Sequence, residues 1–391
     1  MIANYKSLMI IILILLIFFI INLNFKYNYI LPGNNDFNLF KNYYDIKELI
    51  HTYTYNNELK NINIQIPTYI SPRKDVPILN TYKLIKNEVI FDDYCFVIYY
   101  LDSYKCKIII RRLDSYKLNY NFSIKIYDVD NINYDIINFN SYNELANEII
   151  IEYQSNIKLE KVIYEETKIP KVIIQTGNSN IINLAQYNAA LTFIDLNPEF
   201  TYIYFDDLNR TNFLIKHFDK SVLNAYNNIK PLTYKADLFR YCYLYIKGGC
   251  YFDNKMINRI PIRDVINIDD NIILSKENGE KYTNGVLLSI KNNIIFKKCI
   301  DECVYNINNR LYCKNSWDIT GPSLLFRQVP NYNSKLISDF RFINIKLRHK
   351  NLIKIKKSNK IFCNISYYQY YTKYIDSNYY VLLWLMKKVY S

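Results

Sequence analysis

Apolar positions change period three times along the chain. Leu8 to Ile21 is an unbroken apolar run. It is shorter than the roughly 20 residues that cross a hydrocarbon core, and it has the length of a signal-sequence apolar region. The stretch after it, Asn22-Leu-Asn-Phe-Lys-Tyr27, lacks the small residues a signal peptidase reads. An uncleaved signal anchor over residues 1–25 is therefore expected. Lys6 and Lys26 flank the run almost evenly, so its orientation is weakly set. A single-pass, type II protein of an ER- or Golgi-like membrane is the expectation.

Residues 26 to about 90 are polar, with Pro67, Pro72 and Pro77 marking irregular structure. Short β patterns follow at Cys95–Tyr100, Lys107–Arg112 and Phe122–Tyr127. Two copies of Leu-Asp-Ser-Tyr-Lys, at 101–105 and 113–117, supply a recurring turn and predict a β-meander. Residues 26–165 thus read as a stem or β-rich accessory domain without visible chemistry.

The period changes again at Ile169. Lys171–Thr176 reads as a buried strand, Ile181–Leu196 as a helix, and Phe200–Phe205 as a strand closed by Asp206-Asp207. Tyr234–Lys247 reads as a helix stopped by Gly248-Gly249, and Cys250–Asp253 as the strand after it. Ile272–Ser275 and Val286–Ile290 complete the pattern. Strands alternating with helices predict a mostly parallel sheet covered on both faces over residues 166–391. Ligands of such sheets sit at the carboxyl ends of strands, which makes Gln175, Thr176 and Asp253 candidates.

Composition sharpens this picture. The chain of 391 residues is half apolar and holds 41 Tyr against 7 Gly, the bias of an AT-rich coding sequence. Its formal charge of +13 favours anionic partners such as nucleotide diphosphates or an anionic membrane. Nucleic acid is not expected as a partner, because no helix-turn-helix, RNP or zinc-finger pattern accompanies the charge. The eight cysteines form no CxxC pair, though Cys95 and Cys106 are placed to join adjacent strands. Sequons stand at Asn121, Asn209 and Asn364.

The candidate chemistry lies in Tyr234-Lys-Ala-Asp-Leu-Phe-Arg-Tyr241 and Lys247-Gly-Gly-Cys-Tyr-Phe-Asp253. Asp237 and Arg240, three apart on one helix, face the same way. The glycine pair turns the chain into a strand that delivers Asp253 to the sheet edge. A carboxylate there can hold sugar hydroxyls or help hold a divalent ion on a diphosphate. Further motifs are Ile169-Pro-Lys171, Asn197-Pro198, Ala225-Tyr226, Asn284-Gly285 and Thr320-Gly-Pro322.

In order and content these motifs resemble glycosyltransferase family 32. This is a DXD-containing family of GT-A type, related to initiating alpha-1,6-mannosyltransferases and clostridial glucosylating toxins. The resemblance implies an α/β fold: a GT-A, Rossmann-like mixed sheet with helices on both faces, preceded here by the membrane anchor and the β-rich region. It implies a retaining hexosyltransferase that takes a UDP- or GDP-sugar as donor and a glycan or glycoprotein as acceptor. By that resemblance Gln175 and Thr176 line the nucleotide pocket, and Asp237 and Arg240 hold the donor sugar and diphosphate. Asp253 is the first DXD carboxylate, and Asn284 with Gly285 lies near the sugar.

One departure stands out. Asp253-Asn254-Lys255 puts lysine where the second metal-binding aspartate belongs, which places the usual Mn²⁺ or Mg²⁺ in doubt. Either the Lys255 ammonium stands in for the metal, or the site is degenerate and the protein only binds sugar or nucleotide, as an inactive GT-A-like glycoprotein. Plainer readings also stand: a surface ion pair for Asp237 and Arg240, and a helix cap for Asp206-Asp207. The basic run Lys346–Lys360 reads as a solvated surface, and the aromatic tail from Tyr367 to Trp384 as packing. His51, His217 and His349 are isolated and are assigned no role.

Overall fold

The computed structural model describes residues 63–74, 76–78, 82–84, 94–112, 122–128, 130, 132–139, 148–277, 281–329, 331–339, 350–366 and 380–391. The apolar run 8–21, Asn121, the second Leu-Asp-Ser-Tyr-Lys copy, His51, His349 and residues 367–379 lie outside them. Among the described residues no helix is long and apolar enough to cross a membrane.

The main sheet contains β1 (Tyr69–Ile70), β2 (Val172–Thr176), β3 (Thr201–Phe205), β4 (Gly249–Phe252) and β5 (Met256–Asn258). It continues with β6 (Ile272–Lys276), β7 (Tyr282–Ser289), β8 (Leu336–Asp339), β9 (Lys350–Ile355) and β10 (Ile361–Ser366). Across the sheet the order is β5-β10-β9-β8-β6-β7-β4-β2-β3-β1. Parallel pairing joins β2 to β3, β2 to β4 and β6 to β8. The remaining pairs are antiparallel, so the sheet is mixed rather than mostly parallel. The reason is local: past β4 the chain returns through strand-to-strand connections such as β6–β7 and β9–β10, not only through helices.

Seven helices are described: α1 (Leu184–Leu196), α2 (Asp207–His217), α3 (Lys220–Asn228), α4 (Leu232–Lys247), α5 (Ile294–Asn308), α6 (Pro322–Gln328) and α7 (Tyr380–Leu385). Strand alternation sorts the core. Ile174, Tyr251, Leu274 and Leu287 pack with Leu214 of α2, Leu238 of α4 and Phe296 of α5. Their neighbours Ile173, Cys250, Phe252, Ile273 and Leu288 pack instead with Ala190 and Phe193 of α1. Each fully buried Leu, Ile or Phe among them contributes about 1.5–3 kcal/mol. α1 begins at Leu184, not Ile181, because Asn183 caps it by accepting from Gln186 N, and Ile181–Asn183 pairs with Asn63–Gln65.

The N-terminal strands form a four-stranded sheet (Val76–Pro77, Tyr94–Asp102, Lys105–Arg112, Glu148–Gln154) and a three-stranded one (Tyr82–Leu84, Phe122–Tyr127, Tyr134–Phe139). The first Leu-Asp-Ser-Tyr-Lys copy makes the turn of the long hairpin, with Asp102 Oδ1 accepting from Tyr104 N at 2.8 Å. One face of this hairpin packs Val97, Tyr99 and Ile109 against Ala189 and Leu196 of α1. Arg111 pairs with buried Asp195 at 2.7 Å across that contact.

The cysteine pairing is corrected here, and one sequon is placed. Cys95 lies opposite Arg111 and Cys106 opposite Tyr100, at opposite ends of the pairing and in different apolar clusters, so no bond joins them. All eight cysteines are free. Asn364 is buried within β10 and accepts from Arg259 Nε, which leaves its sequon closed to modification in the folded chain. Of the basic run, Lys356, Lys357 and Lys360 are exposed. Of the aromatic tail, Trp384 Nε1 donates to Tyr312 O at 2.6 Å and α7 packs on the core.

Candidate functional site

Because β2, β3 and β4 run parallel, their carboxyl ends share one rim. Thr176 lies opposite Phe205 and Ile174 opposite Tyr251, which brings Asp253 beside the end of β2. Gln175 Nε2 donates to Asp253 O at 3.2 Å. From the other side β7 pairs Val286 with Phe252, and Asp253 N donates to Gly285 O at 2.9 Å. The turn that makes this entry needs glycine. Gly248 and Gly249 have φ of +67° and +107°, and a Cβ on Gly248 would stand 2.6 Å from Lys291 N.

Arg240 is the centre of the site. Its Nη2 lies 3.3 Å from Asp237 Oδ1 and its Nη1 3.3 Å from Asp253 Oδ1. Nη1 also donates to Asn284 O, Nε donates to Ala236 O at 3.1 Å, and the guanidinium lies 4.5 Å from the Tyr251 ring centroid. Asp237 accepts from Asn284 Nδ2 at 3.2 Å and from Thr320 Oγ1 at 2.9 Å. Tyr251 OH donates to Asp253 Oδ1 at 3.1 Å, as two residues on one side of a strand can. Asn284 Nδ2 also reaches Tyr241 OH at 2.7 Å, whereas its Oδ1 is buried with no hydrogen-bond partner. Such an orphaned acceptor invites a ligand hydroxyl.

Burial separates the two acids. It pushes Asp237 up to about 6 despite Arg240, Asn284 and Thr320. Burial would raise Asp253 as well, but Arg240, Lys255 and Tyr251 outweigh it and hold that carboxyl below the usual range. Burial would lower Arg240, yet Tyr251, Asp237 and Asp253 keep it above its ordinary value. The guanidinium is therefore the fixed charge. Asp237, which shares it with Asp253, is the group that titrates.

Asp237 and Arg240 have side chains only 4% exposed, while Asp253 at 21% and Lys255 at 27% are the members that solvent reaches. Lys255 Nζ lies 3.6 Å from Asp253 Oδ2. A divalent cation does not fit this donor set. One carboxylate oxygen already serves Arg240 and Tyr251, and the other serves Lys255. Among the described residues no group of three His, Cys, Asp or Glu gathers anywhere.

The sequence candidates are thus brought together, with differences of rank. Asp237, Arg240, Asp253, Lys255, Asn284 and Gly285 form one cluster. Gln175 is fully buried behind it, its amide spent on Asp253 O and on Tyr202 OH at 2.7 Å. Thr176 donates to Phe205 O at 2.7 Å and accepts from Arg210 Nη1 at 3.1 Å. Asp206 caps α2 by accepting from Asn209 N at 2.8 Å, while Asp207 binds Arg210 at 2.9 Å and Tyr226 at 2.8 Å. Thr320 and Tyr251 hold the acids and were not among the candidates. Their signal lay in the Thr-Gly-Pro and Gly-Gly-x-Tyr-x-Asp motifs.

A mixed α/β sheet whose rim gathers two acids around a guanidinium on a helix-turn-strand unit forms the candidate site. Residues 185–276 match the family described as glycosyltransferase sugar-binding region containing DXD motif. The match holds Asp237, Arg240, Asp253 and Lys255, and stops short of Asn284 and Thr320.

Two curated relatives are similar to the chain. An uncharacterized glycosyltransferase of Acanthamoeba polyphaga mimivirus is 27% identical over 159 residues, covering 40% of this chain and 62% of that protein. Inositol phosphoceramide mannosyltransferase 3 of Schizosaccharomyces pombe is 32% identical over 89 residues, covering 23% of this chain and 25% of that protein. The chain thus spans less than two thirds of either relative's length. Among solved structures, the PaToxG glycosyltransferase aligns with 41% of this chain and 68% of its own at 17% identity, with a TM-score of 0.33.

Proposed function

We propose that the protein is a retaining glycosyltransferase that moves a hexose from a UDP- or GDP-sugar to a glycan or protein acceptor. It is held at a membrane by the apolar run at 8–21. The observation that carries this reading is the Asp237–Arg240–Asp253 cluster at the carboxyl rim of β2, β3 and β4. Arg240 and Asp237 form its buried base, Asp253 faces the donor, and the orphaned Asn284 Oδ1 accepts from a sugar hydroxyl. In the transfer, the bond from the sugar's C1 to the diphosphate oxygen breaks. The acceptor oxygen bonds C1 from the same face, and the acceptor's proton passes to the departing diphosphate. Stabilising that leaving charge is the main catalytic demand.

Lysine in place of the second acid favours a second reading, a binder of sugar or nucleotide without turnover. Incubating the full-length protein with a panel of nucleotide sugars separates the two. Release of free UDP or GDP that disappears in Asp253→Ala supports transfer. Thermal stabilisation by UDP or GDP with no release from any sugar establishes the binder instead.

A further inference from the structure

We propose that Lys255 supplies the positive charge that neutralises the donor's diphosphate, so that this site binds nucleoside diphosphates without a divalent metal. The inference rests on the donor site proposed above and concerns how that site balances charge.

Two carboxylates and one divalent ion sum to zero, and so do Asp253 and Lys255 together. The local charge presented to a diphosphate is therefore preserved with no metal. Adding a divalent ion would leave it beside an ammonium and a guanidinium with only Asp253 within reach of solvent to hold it, since Asp237 is buried against Arg240. Such a site repels the ion it would need.

Placement supports the same assignment. Arg240 is buried and committed to two acids and two backbone carbonyls, so its guanidinium stays where it is. Lys255 sits in the turn between β4 and β5, which is closed by Met256 N donating to Asp253 O at 3.0 Å. Its neighbour Met256 is fully buried and fixes the backbone, while the lysine side chain remains 27% exposed on a flexible stem. An ammonium with three donors on such a stem can swing between Asp253 and a phosphate oxygen. Asp253 then loses nothing essential, because Arg240 and Tyr251 still hold its other oxygen.

The test is calorimetric titration of the full-length protein with UDP and with GDP, in EDTA and in Mn²⁺. Wild-type protein is expected to bind one of them equally in both buffers. In EDTA, Lys255→Ala should bind about tenfold to a hundredfold more weakly, the worth of a charged hydrogen bond, at an unchanged melting temperature. Lys255→Arg should retain most of the affinity. Lys255→Asp should lose binding in EDTA, regain it in Mn²⁺, and bind Mn²⁺ alone by water-proton relaxation, which the wild type does not. Wild-type binding that requires Mn²⁺, or a Lys255→Ala protein that binds as tightly as wild type, overturns the metal-free proposal and leaves the transferase reading standing. No binding in either buffer removes the donor site itself, and this inference with it.

Discussion

Arg240 Nη1 stands 3.3 Å from Asp253 Oδ1, joining the helix before the Gly248-Gly249 turn to the strand after it. The same guanidinium holds Asp237, so two acids lean on one cation from opposite sides of the turn. The consequence is two carboxyls with different proton affinities, Asp253 below the usual range and Asp237 up at about 6. Unlike environments a few ångströms apart prepare a site to hold a proton at one acid and a charge at the other.

Removing the shared cation should be costly. Arg240→Ala leaves two acids buried without their partner, and a loss of about 3–5 kcal/mol is expected in urea unfolding. Arg240→Lys should recover little of it, because a point charge cannot span both carboxylates. An alanine variant as stable as wild type would show that the acids do not depend on the guanidinium.

The raised value of Asp237 sets a pH signature. Its folded value lies above its ordinary value of 3.8, so between that pH and about 6 the folded state keeps a proton that the unfolded chain releases. Its contribution to stability is therefore full below that window, falls as pH rises through it, and is constant above. Wild-type stability minus that of Asp237→Asn should decline across the same range in denaturant melts. Asp253, held below its ordinary value, has the opposite sign and acts at lower pH, outside this window. Nucleotide release should rise through pH 6 in wild type, and Asp237→Asn should flatten that limb.

Thr320 tunes that limb. Its hydroxyl donates to Asp237 Oδ2 at 2.9 Å and favours the ionised acid. Thr320→Val should move the midpoint of nucleotide release to higher pH without abolishing activity at alkaline pH. A midpoint that stays in place would remove Thr320 from the cluster.

The glycines differ in what a side chain would meet. A Cβ on Gly285 would stand 2.6 Å from Met256 Cε and 2.9 Å from Asp253 Oδ2. The methionine can yield, but the aspartate can yield only by leaving its partners. Gly285→Ala should therefore lose most nucleotide release and also melt below wild type, because Asp253 leaves its ion pairs. Gly248→Ala meets backbone atoms at a positive φ, and about 1–3 kcal/mol should be lost in thermal melts.

Short-range physics wrote part of this protein into its sequence. Spacing on one helix put Asp237 and Arg240 on a common side, the glycine pair marked where the helix had to stop, and apolar runs located β2, β3, β4, β6 and β7. Each depends only on neighbours along the chain, through helix period, glycine φ and strand alternation. What the fold alone decided came from contacts distant in sequence. Strand register set Asn284 and Gly285 beside Asp253, and the approach of the loop before α6 gave Asp237 its hydroxyl from Thr320. Strand-to-strand returns made the sheet mixed, and burial turned Gln175 into a strut behind the site. No local pattern encodes these, because pairing register and burial are properties of the closed core. They also decide whether a carboxylate holds its proton.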